Sequence, residues 1–273
     1  MSVEQDATVR VERIDVDEDG SQLGLVTLNR PDEMNPLDWD TGRRLAAAFD
    51  ELAEEPQVRV VAVTGEGRAF SAGGDMKKYQ QLQRDREQFR QFLEEFHAMF
   101  ARISEYPKPY VALVNGVAVA GGIELILSCD LAIAGESARI GDAHLPFGQM
   151  GGGGVLTLLP RAVGPARARE LVFSGRLLTP EEALDWGLVS RVVPDAELIE
   201  AGKAFAADVA KKSPLAVANA KKVMNSSFWD GTDIHAGMRL EREVTVHYCS
   251  TSEDAYEGLV AFAEKRRPIF KGV

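Results

Sequence analysis

An α/β core followed by a helical C-terminal region is the fold class this 273-residue sequence predicts. Two runs, residues 58–64 and 110–114, are rich in β-branched residues and mostly apolar, as strands covered on both faces are. Between them, residues 84–104 place apolar side chains at helical spacing. From Asp195 onward nearly every segment has helical period, so strands and helices alternate first and helices alone follow.

In chain order, residues 9–16 and 23–28 flank the acidic turn 17–20 and predict a hairpin. Asp38 is placed to cap a helix carrying Leu45, Phe49 and Leu52, which Pro56 ends. The buried strand 58–64 leads into a loop, 65–75. The helix predicted over 84–104 presents Phe89, Phe92, Leu93, Phe96, Met99, Phe100 and Ile103 on a wide apolar face, and Pro107 and Pro109 break the chain before the strand 110–114. Asn115-Gly116 between two apolar runs is a hairpin signal. Gly121 and Gly122 compete with it, and strand, turn and helix is the preferred reading. A strand at 130–134 precedes a polar loop, 136–144, and the glycines of 151–154 open a helix through Leu159. Thr179-Pro180-Glu181-Glu182 combines a capping residue, a proline at the first helical position and an acid three residues on. Ser213-Pro214 is a similar start, and helices at 199–211, 215–227, 234–248 and 252–265 complete the chain. The strand-strand-helix rhythm of the first half is a structural repeat without an exact sequence repeat.

The formal net charge of −11 argues against a nucleic-acid or membrane-surface protein, which needs clustered positive charge. An anionic ligand must be met by local cations. The two cysteines, Cys129 and Cys249, form no CxxC pattern, so a reducing compartment and no metal site are expected. The start MSVEQDATVR lacks an apolar signal segment and no run reaches the ~18 apolar residues of a membrane span, so the expected location is the cytoplasm.

Two stretches carry chemistry. In residues 117–127, Gly121, Gly122 and Glu124 stand in an otherwise apolar run. A helix opening at these glycines aims free N–H groups at negative charge, and the apolar neighbours of Glu124 push its pKa up, which suits an acid or base near neutral pH. Phe70-Ser71-Ala72-Gly73-Gly74-Asp75 repeats the strand-glycine-helix arrangement, so one N–H from each turn could converge on a single oxygen as an oxyanion hole. The same stretch resembles a nucleophile elbow at Ser71, a rival reading. His144 lies in the polar loop, where solvation is the default for a histidine. The glycines 151–154 are no phosphate loop, because no Gly-Lys-Ser/Thr follows.

These stretches together resemble the crotonase (enoyl-CoA hydratase/isomerase) superfamily along nearly the whole chain. The carriers, in the family's order, are Leu28-Asn29-Arg30-Pro31 with Asn35-Pro36-Leu37, Ala69 to Asp75, Lys108-Pro109 with Val114-Asn115-Gly116, Gly121-Gly122-Ile123-Glu124, Cys129-Asp130, residues 183–193 and Phe262-Ala263-Glu264-Lys265. The resemblance implies a spiral of ββα units over 1–212, a helical trimerisation region over 213–273, and homotrimers or dimers of trimers. It implies an acyl-CoA thioester substrate, with coenzyme A as part of the substrate and no separate cofactor. By position Gly74 and Gly121 match the oxyanion donors and Glu124 the first of two hydratase glutamates. Ala72, Asp75 and Met76 match the adenine and pantetheine path, and Phe262 and Lys265 match residues that reach a neighbouring subunit's CoA. The second glutamate is absent, with His144 in its place. Hydration of a 2-enoyl-CoA leads, followed by double-bond isomerisation and by thioester or β-dicarbonyl hydrolysis, although the acid expected near Gly153 in such hydrolases is missing. A catalytically inert acyl-CoA-binding oligomer is the non-enzyme alternative.

Overall fold

Side-chain alternation sorts each apolar run between two packing surfaces. The computed structural model describes residues 7–273. Strands β1 (Val9–Asp15) and β2 (Gln22–Leu28) form the antiparallel hairpin, with Val9 opposite Leu28. Helix α1 (Trp39–Glu54) starts where Asp38 accepts the Thr41 N–H at 2.9 Å, and it buries Leu45, Phe49 and Leu52. β3 (Val58–Gly65) then pairs with β2 in parallel. Its Val61 and Val63 join the main core, whereas Val60 and Ala62 turn to the opposite face, where α8 (Leu198–Ala210) packs. Burial on both faces is why this strand has no polar alternation.

Three consecutive strand-strand-helix units build the core. In the first, β3 is followed by β4 (Ala69–Ser71) and the helices α2 (Met76–Leu82) and α3 (Arg86–Ile103). β5 (Tyr110–Val114), β6 (Val117–Val119) and α4 (Gly121–Ser128) form the second, and β7 (Leu131–Gly135), β8 (Arg139–Gly141) and α5 (Val155–Val163) the third. The first strands of the units lie in one sheet, ordered β1-β2-β3-β5-β7-β9 with β9 at Arg191–Val193. The second strands form a small parallel sheet, β4-β6-β8. This is the expected spiral. After α6 (Pro165–Ser174), α7 (Pro180–Asp185) and α8 come the helices α9 (Pro214–Phe228), α10 (Ile234–Thr251) and α11 (Glu253–Glu264). Among the described residues no helix is long and apolar enough to cross a membrane.

Several local readings are corrected. The loops 65–75 and 136–144 hold β4 and β8, three-residue strands too short to show a period. The helix predicted from residue 84 starts at Arg86, because Asp85 caps it through the Glu87 and Gln88 N–H groups, and a separate α2 precedes it. Asn115-Gly116 is not a hairpin, since β5 and β6 belong to different sheets, and the preferred strand, turn and helix holds at Gly121, where α4 opens after β6. The Asn115 side chain ties the crossing, accepting the Gly65 N–H at 3.0 Å and donating to the Gly67 carbonyl at 2.9 Å. The third helix begins only at Val155 and runs past the expected end at Leu159 to Val163, with Pro160 inside it. α6 and β9 had no counterpart in the sequence reading.

Candidate active site

The two glycine turns touch. A Cβ on Gly122 would lie 2.4 Å from the Ser71 carbonyl oxygen, and one on Gly73 would lie 2.6 Å from the Ala120 Cβ and 2.9 Å from the Gly121 nitrogen. Gly73 has φ 84°, and Ala120, a non-glycine, is held at φ 49°. Such a conformation costs about 1–3 kcal/mol and persists because its surroundings fix it. The first turn is fixed by the Leu37 N–H donating to the Gly73 carbonyl at 2.7 Å and the Ala72 N–H donating to the Met34 carbonyl at 2.9 Å. Ser71 is fully buried, its hydroxyl donating to the Asn35 carbonyl at 2.8 Å and accepting the Gly73 N–H at 3.1 Å. That removes the nucleophile-elbow reading, because an elbow presents its hydroxyl to substrate. The N–H groups of Gly74 and Gly121 have no partner among the described residues, and both residues line one cavity.

Glu124 follows one turn into α4, a helix buried from Gly122 to Ser128, and is 5 % exposed. Its Oε1 accepts the Gly153 N–H at 2.8 Å and the Val155 N–H at 3.4 Å, so the carboxylate sits on the N-terminus of α5. Glycines 152 and 153 allow this approach. A Cβ on Gly153 would lie 2.6 Å from Glu124 Oε2, and one on Gly152 would lie 2.7 Å from Leu93 Cδ2. Burial pushes the Glu124 pKa up, against the His144 charge and the two N–H groups, and the net shift is upward.

His144 is not a solvated loop histidine: its side chain is only 13 % exposed. Nδ1 is hydrogen-bonded to Asp142 Oδ1, and Asp142 is 0 % exposed. Burial pulls the His144 pKa down, but the Asp142 hydrogen bond and charge, with the Glu124 charge, reverse this and leave it raised. The sequence reading missed Asp142. A faint signal existed, since the buried side of β8 at Ile140 continues two residues on to Asp142.

A single cavity of about 480 Å³ collects most of the singled-out residues: Ala72, Gly74, Asp75 and Met76 from the first turn, Gly121 and Glu124 from the second, and His144. Its walls are apolar, with Tyr79, Phe92, Leu93 and Phe96 contributed by α2 and α3. Lys77, unremarked in the sequence, supplies a cation there. Phe262, 84 % exposed on α11, and Lys265 just beyond it do not line this cavity.

The ββα spiral closing two glycine turns over a buried glutamate defines a crotonase-superfamily enzyme. Residues 18–273 match the Enoyl-CoA hydratase/isomerase family, and the chain belongs to it. It is 34 % identical to a probable enoyl-CoA hydratase of Mycobacterium tuberculosis over 96 % of this chain and 97 % of that one. A putative enoyl-CoA hydratase of Thermus thermophilus is 38 % identical over 91 % and 97 % of the two chains. The crystal structure of an enoyl-CoA hydratase from Bacillus anthracis superposes with a TM-score of 0.89 at 33 % identity, covering 98 % of this chain and all of that one.

Proposed function

We propose that the protein adds water across the double bond of a 2-enoyl-CoA, and one observation carries this: Glu124 and His144 line the same cavity as the free N–H groups of Gly74 and Gly121. The thioester oxygen accepts from both N–H groups, which stabilise it as it gains enolate charge, by roughly 3 kcal/mol per donor in comparable sites. Glu124 and His144 share one exchangeable proton and titrate as a pair. One takes a proton from water as the oxygen bonds to Cβ, and the other delivers a proton to Cα. Neither needs a separate cofactor. The apolar wall of Tyr79, Phe92, Leu93 and Phe96 suits an acyl chain, and Ala72, Asp75 and Met76 border the path of the pantetheine and adenine.

Phe262 and Lys265 belong to the proposed assembly. Exposed apolar residues on the C-terminal helices, among them Met224, Met238, Leu259 and Phe262, support a homotrimer or dimer of trimers in which these two residues reach a neighbour's CoA. The proposed setting is the cytoplasm. The purified protein is expected to hydrate crotonyl-CoA or a longer 2-enoyl-CoA. CoA binding by calorimetry with no hydration across a panel of chain lengths overturns the proposal, as does double-bond migration without water addition.

A further inference from the structure

Asp142 takes no part in the proton transfers just described, yet its carboxylate is fully buried beside the group that does. Oδ1 is hydrogen-bonded to His144 Nδ1, while Oδ2 has no partner, and no lysine or arginine pairs with Asp142 among the described residues. A buried carboxylate with one unsatisfied oxygen is costly unless a positive charge stands against it. The imidazolium of His144 is that charge. With Nδ1 committed to Asp142, Nε2 is the ring nitrogen left to exchange a proton with water or substrate.

We propose that Asp142 is a positioning residue that makes His144 the charge equivalent of a carboxyl group, so that the Asp142–His144 pair fills the place of a second glutamate opposite Glu124. Imidazolium beside a carboxylate is neutral overall, as a protonated glutamate is. Imidazole beside a carboxylate carries one negative charge, as an ionised glutamate does. A site holding Glu124, His144, Asp142 and one exchangeable proton therefore has the same net charge as two glutamates sharing one proton. A histidine without Asp142 would leave the site one unit more positive. The titratable groups facing the ring are Asp142 from the end of β8 and Glu124 from α4, while Tyr79 and Lys77 of α2, Asp75 before it and Glu33 line the wall of the same cavity.

The inference rests on the hydration reading, and its test has one arm independent of turnover. The chain has four histidines, and histidine-selective ¹⁵N labelling with His144→Gln for assignment reads the state of His144 directly. In the unaltered protein His144 is expected to hold a proton on Nδ1 and to titrate above the ordinary histidine value of 6.5. A resting Nε2–H tautomer, or titration at or below that value, overturns the proposal whether or not any variant turns over substrate. Asp142→Asn is expected to move the His144 titration and the matching limb of the kcat profile to lower pH, with kcat down ~100-fold and KM within about twofold. His144→Glu places two carboxylates in contact and should be nearly inactive. Asp142→Asn/His144→Glu restores the two-glutamate charge and should exceed His144→Glu by about tenfold or more. A purely structural Asp142 would lower thermal stability without moving the His144 titration, and the double variant would be no better than His144→Glu. Either result overturns the proposal. If no enoyl-CoA is hydrated at all, the hydration reading fails while the NMR titration still decides the charge state.

Discussion

Replacing Glu124 by Gln should move activity and stability in opposite directions. The amide keeps the side chain's shape and an oxygen able to accept the Gly153 N–H, now 2.8 Å from Oε1. It exchanges no proton, so kcat should fall about 10²–10⁴-fold, or roughly 3–5 kcal/mol in the barrier. KM should hold within a few-fold, because the proposed CoA path lies on other residues, Ala72, Asp75 and Met76. Stability follows from the raised pKa. The unfolded chain ionises Glu124 near the model value of 4.5, whereas burial keeps it protonated to higher pH in the native state. Between those two values the native state holds a proton the unfolded chain lacks, so wild-type stability falls by ~1.4 kcal/mol per pH unit as pH rises. Above the folded pKa the loss stops growing. Gln has no such dependence, so its advantage widens across that window and then levels off. Each kcal/mol corresponds to roughly 2–4 °C in Tm for a chain of this size. Loss of the conjugated enoyl thioester absorbance measures turnover, and calorimetric melting from pH 4 upward at fixed protomer concentration measures stability. Turnover equal to wild type removes Glu124 from the chemistry, and a lower Tm at every pH refutes the burial argument.

Gly122→Ala drives a Cβ into the Ser71 carbonyl at 2.4 Å, so the turns must part; kcat should drop ~100-fold, with about 1–3 kcal/mol lost in urea denaturation. Gly74→Ala meets only Tyr79 Cδ2, at 3.5 Å and without a left-handed φ, and should stay within about twofold of wild type in the same assays. Lys221 is buried and donates to the carbonyls of Ile103 and Lys108 and to Asp130 Oδ2 at 2.7–2.9 Å. Lys221→Met leaves the partly exposed Asp130 carboxylate with the Tyr110 N–H at 2.7 Å but without its cation, and should cost about 1–3 kcal/mol by denaturant midpoint, with turnover per folded protomer unchanged. Burial opposes ionisation of Asp38, but Lys78 and the Thr41 N–H hold its pKa down at about 2. Its contribution is present above the unfolded value of 3.8 and is lost as pH falls through about 2. Wild type should therefore lose about 2 kcal/mol over that window that Asp38→Ala does not lose, as read from acid-denaturation curves.

Local chemistry explains which elements the sequence exposes. Asp38, Thr179 and Ser213 each accept an N–H within their own next turn, so their helices can be read from a few adjacent residues. The strands of the large sheet are five to eight residues long where they were foreseen, and their apolar runs follow from cover on both faces. β4, β6 and β8 are three residues each and exist because they pair with one another across three units. No window along the chain contains that pairing. Asn115 shows the same limit, since Asn-Gly favours a tight turn while its side chain serves Gly65 and Gly67, about fifty residues earlier.

The site divides along the same line. Glu124 was legible because it is the one carboxylate in the apolar run of a helix whose neighbours Ile123, Leu125 and Ile126 are themselves buried. Gly74 and Gly121 were legible as turns, but the contact between the turns requires Gly122 against the Ser71 carbonyl, a tertiary fact. Phe262 and Lys265 reach no part of this chain's cavity, so their proposed role depends on a second copy. His144 was placed by position and misread by environment, because a polar loop sequence conceals the burial of Asp142 beside it. Matching position against position compares one side chain with one side chain, here a histidine with a glutamate, and registers a loss. The structure sets two side chains against that glutamate, and the second lies two residues upstream. Where a carboxylate can be replaced by an imidazole with its own counter-charge, residue-by-residue comparison understates what the site retains, and net charge within the cavity is the quantity to compare.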